Sequence, residues 1–311
     1  MNGVLILDKP AGLTSHDVVN RVRRILAQRS VGHLGTLDPM ATGVLPLVAG
    51  SLTRLAQFYT SAEKTYEGSI RFGFATDTYD AEGDPTTTPQ PVNLQAEQLV
   101  ALAAQFRGVI EQTPPPFSAK KIGGVPAYKL ARKQKEVVLK PVQVEIKELE
   151  ILSVQPDRAR FRARVASGTY LRSVAHDMGR LLGCGAHLES LRRTTVAEFT
   201  LDDAHTLEEL AQAAATGPLD DFFVRFFVHP RKLLPQLPSV TADEANVARI
   251  RSGRTVNLPE LSRARQIKVF SGQRELIAIA TRVAGTLFHP KIVLCGADSP
   301  ERSMAKKDGL G

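Results

Sequence analysis

The chain has 311 residues, 43% hydrophobic and 23% charged, enough apolar material for one large core and a second small one. Lysine and arginine number 40 against 32 acidic residues, a net charge of +8, which fits a polyanionic partner, nucleic acid before membrane, or simply a soluble basic surface. Cys184 and Cys295 lack disulfide or metal spacing, the seven histidines do not cluster, and no apolar run reaches spanning length, so zinc-finger, disulfide-scaffold and membrane-spanning classes are excluded and a reducing cytosol is expected.

Val4 to Leu7 is a short apolar run closed by Asp8-Lys9-Pro10-Ala11-Gly12, the pattern of a buried strand entering a turn. Thr14 or Ser15 then caps a helix with Val18, Val22, Ile25 and Leu26 on one face. HLGTLDPMATGVL follows as a loop, and Lys64 to Phe74 alternates as a strand ended by the acidic turn Asp77 to Asp84. A helix through Leu99, Leu102, Ala103 and Phe106 closes near Gly108. The segment from about 114 to 140 opens on three prolines and carries Lys120, Lys121, Lys129, Arg132, Lys133 and Lys135 against Glu136, and its glycine pair and internal proline argue for a protrusion.

Val142, Val144 and Ile146 alternate with polar residues, as do Arg158, Arg160, Arg162 and Arg164 with apolar ones; both read as half-buried strands, the second with one cationic face. Ser167-Gly168-Thr169 turns into a helix with Leu171, Val174, Met178 and Leu181 inward. Leu201 to Phe227 reads as helical and apolar, HPRKLLPQLPS as a linker, and Thr241 to Gly253 as one helix. The rest is strand-like, with turns at Ser271-Gly272 and Ala284-Gly285 and a patternless tail.

Phosphate-loop, dinucleotide, zinc-protease and nucleophile-elbow motifs are all missing. Asp38 stands out instead. An aspartate before proline is first of all a turn residue, yet Leu37, Met40, Val44 and Leu45 surround it with apolar material and no neighbouring cation. A carboxylate so placed protonates unless a distant cation reaches it. Arg172, at a helix start and off the apolar stripe, is the candidate, against the alternative of a solvated arginine. Tyr66 in KTYEG is core or a base-stacking platform, and His33 is a surface residue or a ring for an unpaired nucleotide.

LDKPAGLTSHDVV, VGHLGTLDPMATGVL, KTYEGSIRFG, TDTYDAEGD, TPPPFSAKKIGGVPAYKLAR, SGTYLRSVAHDMGRLLG and AHLESLRRTTVAEF occur in order over about the first two hundred residues. This series resembles the bacterial tRNA pseudouridine-55 synthases, the TruB family. The resemblance implies a cofactor-free isomerisation of uridine 55 in the tRNA T-loop. It implies Asp38 as the catalytic aspartate, Tyr66 as the active-site tyrosine and Arg172 as the aspartate's partner. Leu191 is then the pocket leucine, His33 the ring stacked in the opened T-loop, Asp80 a positioning acid and Tyr170 a pocket residue. The 114–140 segment becomes an RNA-clasping insertion using Lys120, Lys121 and Arg132. Gln134 and Glu189 depart from the usual pattern without touching these positions.

The expectation is an α+β protein. A pseudouridine-synthase-type domain over 1–235, a mixed sheet flanked by helices and loops, precedes a small mostly-β PUA-like RNA-binding domain over 236–304 and a frayed tail over 305–311. It is expected to be a cytoplasmic monomer that binds tRNA with no metal, membrane, guide RNA or protein partner. Three alternatives stand beside it: a tRNA-folding chaperone of the same fold, a hydrolase pairing Asp38 with Asp80, and a relative acting on another RNA.

Overall fold

The computed structural model describes residues 1–118, 121–122, 125–126 and 139–294, with backbone alone at 121–122, 125–126 and 219–220. Strand β1 (Gly3–Lys9) leads to helix α1 (Ser15–Ile25), β2 (Val31–His33), β3 (Thr42–Ala49) and β4 (Lys64–Phe72). Helix α2 (Ala96–Gln105) and β5 (Gly108–Gln112) precede the short pair β6 (Lys121–Ile122) and β7 (Val125–Pro126). Then come β8 (Val142–Gln155), β9 (Arg158–Val165), helix α3 (Leu171–Leu181), β10 (Ala186–Val196), β11 (Phe199–Thr200) and β12 (Ala204–His205).

A ten-stranded mixed sheet runs β12-β1-β3-β10-β4-β9-β8-β5, with β2 on β3 and β11 on β10. The unbroken apolar runs of β1 and β3 are explained by cover on both faces. Leu5, Leu7, Leu45 and Leu47 join the cluster under α1 and α3, while Val4, Ile6, Val44 and Val48 join a second cluster on the opposite face. Thr14 caps α1 in a reciprocal box with Asp17: the Asp17 N–H donates to Thr14 Oγ1 at 3.1 Å and the Thr14 N–H to Asp17 Oδ2 at 3.0 Å.

Strand β10 sits at the centre, parallel to β3 through Arg192–Thr42 and Arg193–Gly43 and antiparallel to β4 through Arg193–Tyr66 and Leu191–Gly68. Residues 191 and 193 therefore share a face with Tyr66. The close parallel approach depends on Gly43, whose φ is +100° and where an added Cβ would overlap the Arg193 carbonyl.

A separate five-stranded sheet, β13 (Ser239–Ala242), β14 (Val256–Asn257), β15 (Gln266–Ser271), β16 (Glu275–Ala284) and β17 (Leu287–Val293), runs β13-β15-β16-β17-β14. Phe270, Leu276, Ile279 and Ile292 from this sheet, with Leu294 just past its last strand, enter the second cluster of the large one, together with Leu52, Leu55 and Tyr59.

Five sequence expectations change. HLGTLDPMATGVL is a loop only in its middle, since His33 closes β2 and Thr42 opens β3. Leu181 is 53% exposed, because α3 buries Arg172 and Gly179 among its inward positions. Leu201–Phe227 holds a 3-10 turn (Leu201–Asp203), strand β12 and two helices, Leu207–Thr216 and Leu219–Phe226. The proline-rich connection is packed: Leu233 and Leu234 are 0% and 1% exposed. Thr241 to Gly253 divides between β13 and a helix over Glu244–Arg251, which Asp243 caps. The tail over 305–311 lies outside the described residues.

Candidate active site

Asp38 lies between β2 and β3, on a loop held almost wholly through its backbone. Lys9, fully buried at the end of β1, donates from Nζ to the carbonyls of Pro10, Pro39 and Ala41 at 2.8, 3.1 and 2.7 Å. Arg193, equally buried on β10, donates to Gly35, Thr36 and Val44 carbonyls at 3.1, 3.1 and 2.8 Å. Ser15 Oγ accepts from the Leu37 N–H at 2.8 Å and returns a bond to the Leu37 carbonyl at 3.1 Å. Two interior cations satisfied by carbonyl dipoles thus bracket the loop that carries Asp38. Burial pushes the Lys9 ammonium down to about 8, against the attraction of Asp38.

The cation that the sequence demanded for Asp38 arrives from the first turn of α3. Arg172, 5% exposed, brings Nε to 2.9 Å from Asp38 Oδ2 and donates from Nη2 to Oδ1 at 3.3 Å. The Nε approach is a close charge contact rather than an aligned hydrogen bond. Nη1 reaches Asp80 Oδ2 at 3.5 Å and the Thr78 carbonyl at 3.0 Å, and Nη2 the Phe117 carbonyl at 3.0 Å. Asp80 is 3% exposed and takes further bonds from Thr78 Oγ1 at 2.6 Å and the Glu82 N–H at 3.1 Å.

The loop carrying Thr78 and Asp80 is braced one helical turn along α3. His176 stacks on Tyr79 with centroids 3.8 Å apart, and Tyr79 holds a left-handed φ of +64°.

Asp38's side chain keeps 36% exposure because it opens into a cavity of about 440 Å³. Burial is the largest influence on its carboxyl and raises its pKa; Arg172 opposes this, Asp80 adds to it, and the result stands above the ordinary carboxylate range.

Tyr66 and Leu191, each 8% exposed, wall the cavity from β4 and β10; His33 and Tyr170 line it as well. Tyr170 is clasped through its backbone by the side chain of buried Gln112, which accepts its N–H at 2.8 Å and donates to its carbonyl at 3.1 Å. His33 Nδ1 accepts the Gly35 N–H at 3.3 Å, leaving the ring proton on Nε2, and burial lowers the ring's pKa.

Sequence reasoning named the residues that meet here, Asp38, Tyr66, Arg172, Leu191, His33, Tyr170 and Asp80, but missed Lys9, Arg193 and Ser15. Lys9 stood inside a quoted motif, and nothing in its neighbours told that two of its three carbonyl partners would come from about thirty residues away. Lys120 and Arg132 lie outside the described residues, as does Gln134, and Lys121 is described in its backbone alone. Glu189 bonds Ser69 and Arg158, at 2.5 and 2.8 Å, away from the cavity. Asp80 shares Arg172 with Asp38 and does not line the cavity, which disfavours an acid–base pair of carboxyls, since that pairing needs one of them protonated. Among the described residues no group of three or more His, Cys, Asp and Glu side chains is arranged for a metal ion.

Two family descriptions match the chain. TruB family pseudouridylate synthase (N terminal domain) covers residues 23–171, and tRNA pseudouridylate synthase B C-terminal domain covers residues 172–230. The tRNA pseudouridine synthase B of Solibacter usitatus (strain Ellin6076) is 50% identical over 94% of this chain and 100% of its own length. That of Aquifex aeolicus (strain VF5) is 47% identical over 67% of this chain and 73% of its own. Among solved structures, a chain of a Cbf5-Nop10-Gar1 complex is 26% identical with a TM-score of 0.69, covering 95% of this chain and 86% of that one.

Proposed function

The chain belongs to the TruB family of pseudouridylate synthases, and from that premise we propose that it isomerises uridine 55 in the T-loop of tRNA to pseudouridine. The observation that carries this reading is the Arg172 guanidinium joining Asp38 and Asp80 beneath a cavity walled by Tyr66 and Leu191.

The reaction breaks the N1–C1′ bond, turns the uracil, and forms a C5–C1′ bond, with the C5 proton lost and N1 protonated. Its atoms balance without oxidant, reductant or cofactor. The target must leave the RNA stack, at a cost of a few kcal/mol that side-chain contacts offset. Asp38 is the essential carboxylate, ionised beside the sugar whose bond is exchanged, and Arg172 keeps it charged in an apolar recess. Tyr66 stacks on the base and stands as the acceptor for the C5 proton; Leu191 keeps water from the detached uracil. His33 holds the opened RNA loop, Asp80 orients Arg172, and Tyr170 completes the wall.

The segment from 114 to 140 then clasps RNA, with Lys120, Lys121 and Arg132 on phosphates. The chain over 236–304 acts as a PUA-like RNA-binding domain beside the catalytic domain over 1–235. The enzyme works in the cytoplasm as a monomer, without guide RNA or protein partner. The name tRNA pseudouridine synthase B, carried by the Solibacter and Aquifex relatives, supports tRNA as substrate over another RNA.

The test is incubation with unmodified tRNA followed by carbodiimide mapping. A single new pseudouridine at position 55 is expected, with none from Asp38→Asn even though that variant binds tRNA near the wild-type level. Full activity in Asp38→Asn would remove the catalytic assignment, and a product of altered mass would replace isomerisation with hydrolysis.

A further inference from the structure

The walls of the catalytic cavity carry opposite charge at two places. Asp38, with Asp80 behind it, supplies one. The other is made by Lys64, the first residue of β4, beside Gly35 and Thr60.

The Lys64 ammonium makes one hydrogen bond, to the Ala62 carbonyl at 2.7 Å, and has no carboxylate partner among the described residues. Behind it stands Arg193, fully buried and bonded to three carbonyls, a fixed positive charge that water does not reach. The two side chains converge on Gly35: a Cβ placed there would lie 3.5 Å from Lys64 Cε and 3.6 Å from Arg193 Nη1. Burial, aided by Arg193, also lowers the Lys64 ammonium to about 8. A half-buried cation backed by a second one, open to a cavity, is a complement for an anion.

A flipped nucleotide brings that anion with it. Its base and ribose enter the recess at Asp38, while the phosphodiester groups on either side stay charged and must be met by cations or water. We propose that Lys64 binds one of the two phosphodiester groups flanking the flipped uridine, with the buried Arg193 charge reinforcing the site. This rests on the isomerase reading for the identity of the ligand, and on the cavity's charge layout for the site.

The experiment uses the full chain with Lys64→Met, Lys64→Gln and Lys64→Arg, and an unmodified T-arm stem-loop. Affinity is measured across a salt series, with single methylphosphonate linkages placed 5′ or 3′ of the target. Lys64→Met and Lys64→Gln should weaken binding roughly tenfold, the scale of one charged hydrogen bond. They should also flatten the salt slope by about 0.7, while Lys64→Arg keeps the slope. One neutral linkage should weaken wild type and cost Lys64→Met little more. Steady-state kinetics should show a raised KM with kcat retained.

Unchanged slope and an undiminished methylphosphonate penalty in a melt-verified variant would overturn the site. So would full tolerance of both neutral linkages by wild type, a result that needs no variant to fold. Pseudouridine formation by wild type in the same assay separates the two readings. If the wild type isomerises RNA and Lys64 proves silent, only the phosphate site fails. A Lys64-dependent slope without product means that only the isomerase reading fails.

Discussion

Arg172 Nε stands 2.9 Å from Asp38 Oδ2, yet the carboxyl it attracts still titrates above the ordinary aspartate range. Desolvation therefore outweighs the pairing, and Asp80, sharing the same guanidinium, adds repulsion. The acidic limb of kcat/KM should lie above about 4, the free aspartate value. Arg172→Met should move that limb further up as well as lowering the plateau; a pH–rate profile that leaves the limb in place would contradict the pairing.

The same raised value has a cost in stability. Where a carboxyl's folded pKa is raised, the penalty is absent below the unfolded pKa, grows as pH rises through the interval, and is complete above the folded pKa. Asp38→Asn should therefore melt higher than wild type near pH 7, and the two curves should converge as pH falls towards about 4.

Arg193→Met should loosen the loop around Asp38. It strands the carbonyls of Gly35, Thr36 and Val44 without donors in a buried site. At about 1 kcal/mol or more for each, the loss is roughly 3 kcal/mol. Denaturant unfolding measures it, and a loss of activity in the folded fraction separates loop disorder from global instability.

Two glycines with positive φ should respond unequally to alanine. Gly12, at φ +81°, has nothing within 4 Å of an added Cβ, so Gly12→Ala pays backbone strain alone, about 1 kcal/mol. Gly43→Ala adds overlap with the Arg193 backbone to its strain, and should cost roughly 3 kcal/mol or more. Equal melting temperatures for the two variants would show that the β3–β10 approach is not tight.

Tyr59 links the cavity wall to the second sheet's seat. Its hydroxyl donates to Glu198 Oε1 at 2.6 Å, and the same oxygen accepts the N–H of Leu234 at 2.9 Å. Glu198→Gln keeps an acceptor and should be mild, whereas Glu198→Ala should cost about 2 kcal/mol by orphaning both donors. Thermal melts of the pair test this.

Much of the fold was legible where local pattern and burial agree. The run of β1, the Thr14 cap and the alternation of β9 each follow from a single element's own chemistry, whereas the start of β3 read as loop among its glycine, proline and threonine neighbours. Asp38 was legible as a problem, a charge without a neighbour, and Arg172 as its answer. Lys9 and Arg193 were not, because their partners are backbone carbonyls that only the folded loop assembles, and carbonyls leave no mark in a sequence. Leu233 and Leu234 read as linker because proline dominates their surroundings, while the cluster that buries them is assembled from both sheets. The helical reading of Leu201–Phe227 missed β12, which forms only because β1 offers it an edge.

The second apolar cluster, in which Phe270, Ile279 and Ile292 meet Val4, Ile6 and Val44, makes the two sheets thermodynamic dependants of each other. Heating the intact chain should give one calorimetric transition, because neither part can melt without wetting the other's interior. Cutting the chain before β13 would remove part of the cover from β1 and β3, near the β12 edge of the catalytic sheet. The fragment left behind would expose apolar residues on the face opposite α1 and α3, prone to aggregate before it could turn over RNA.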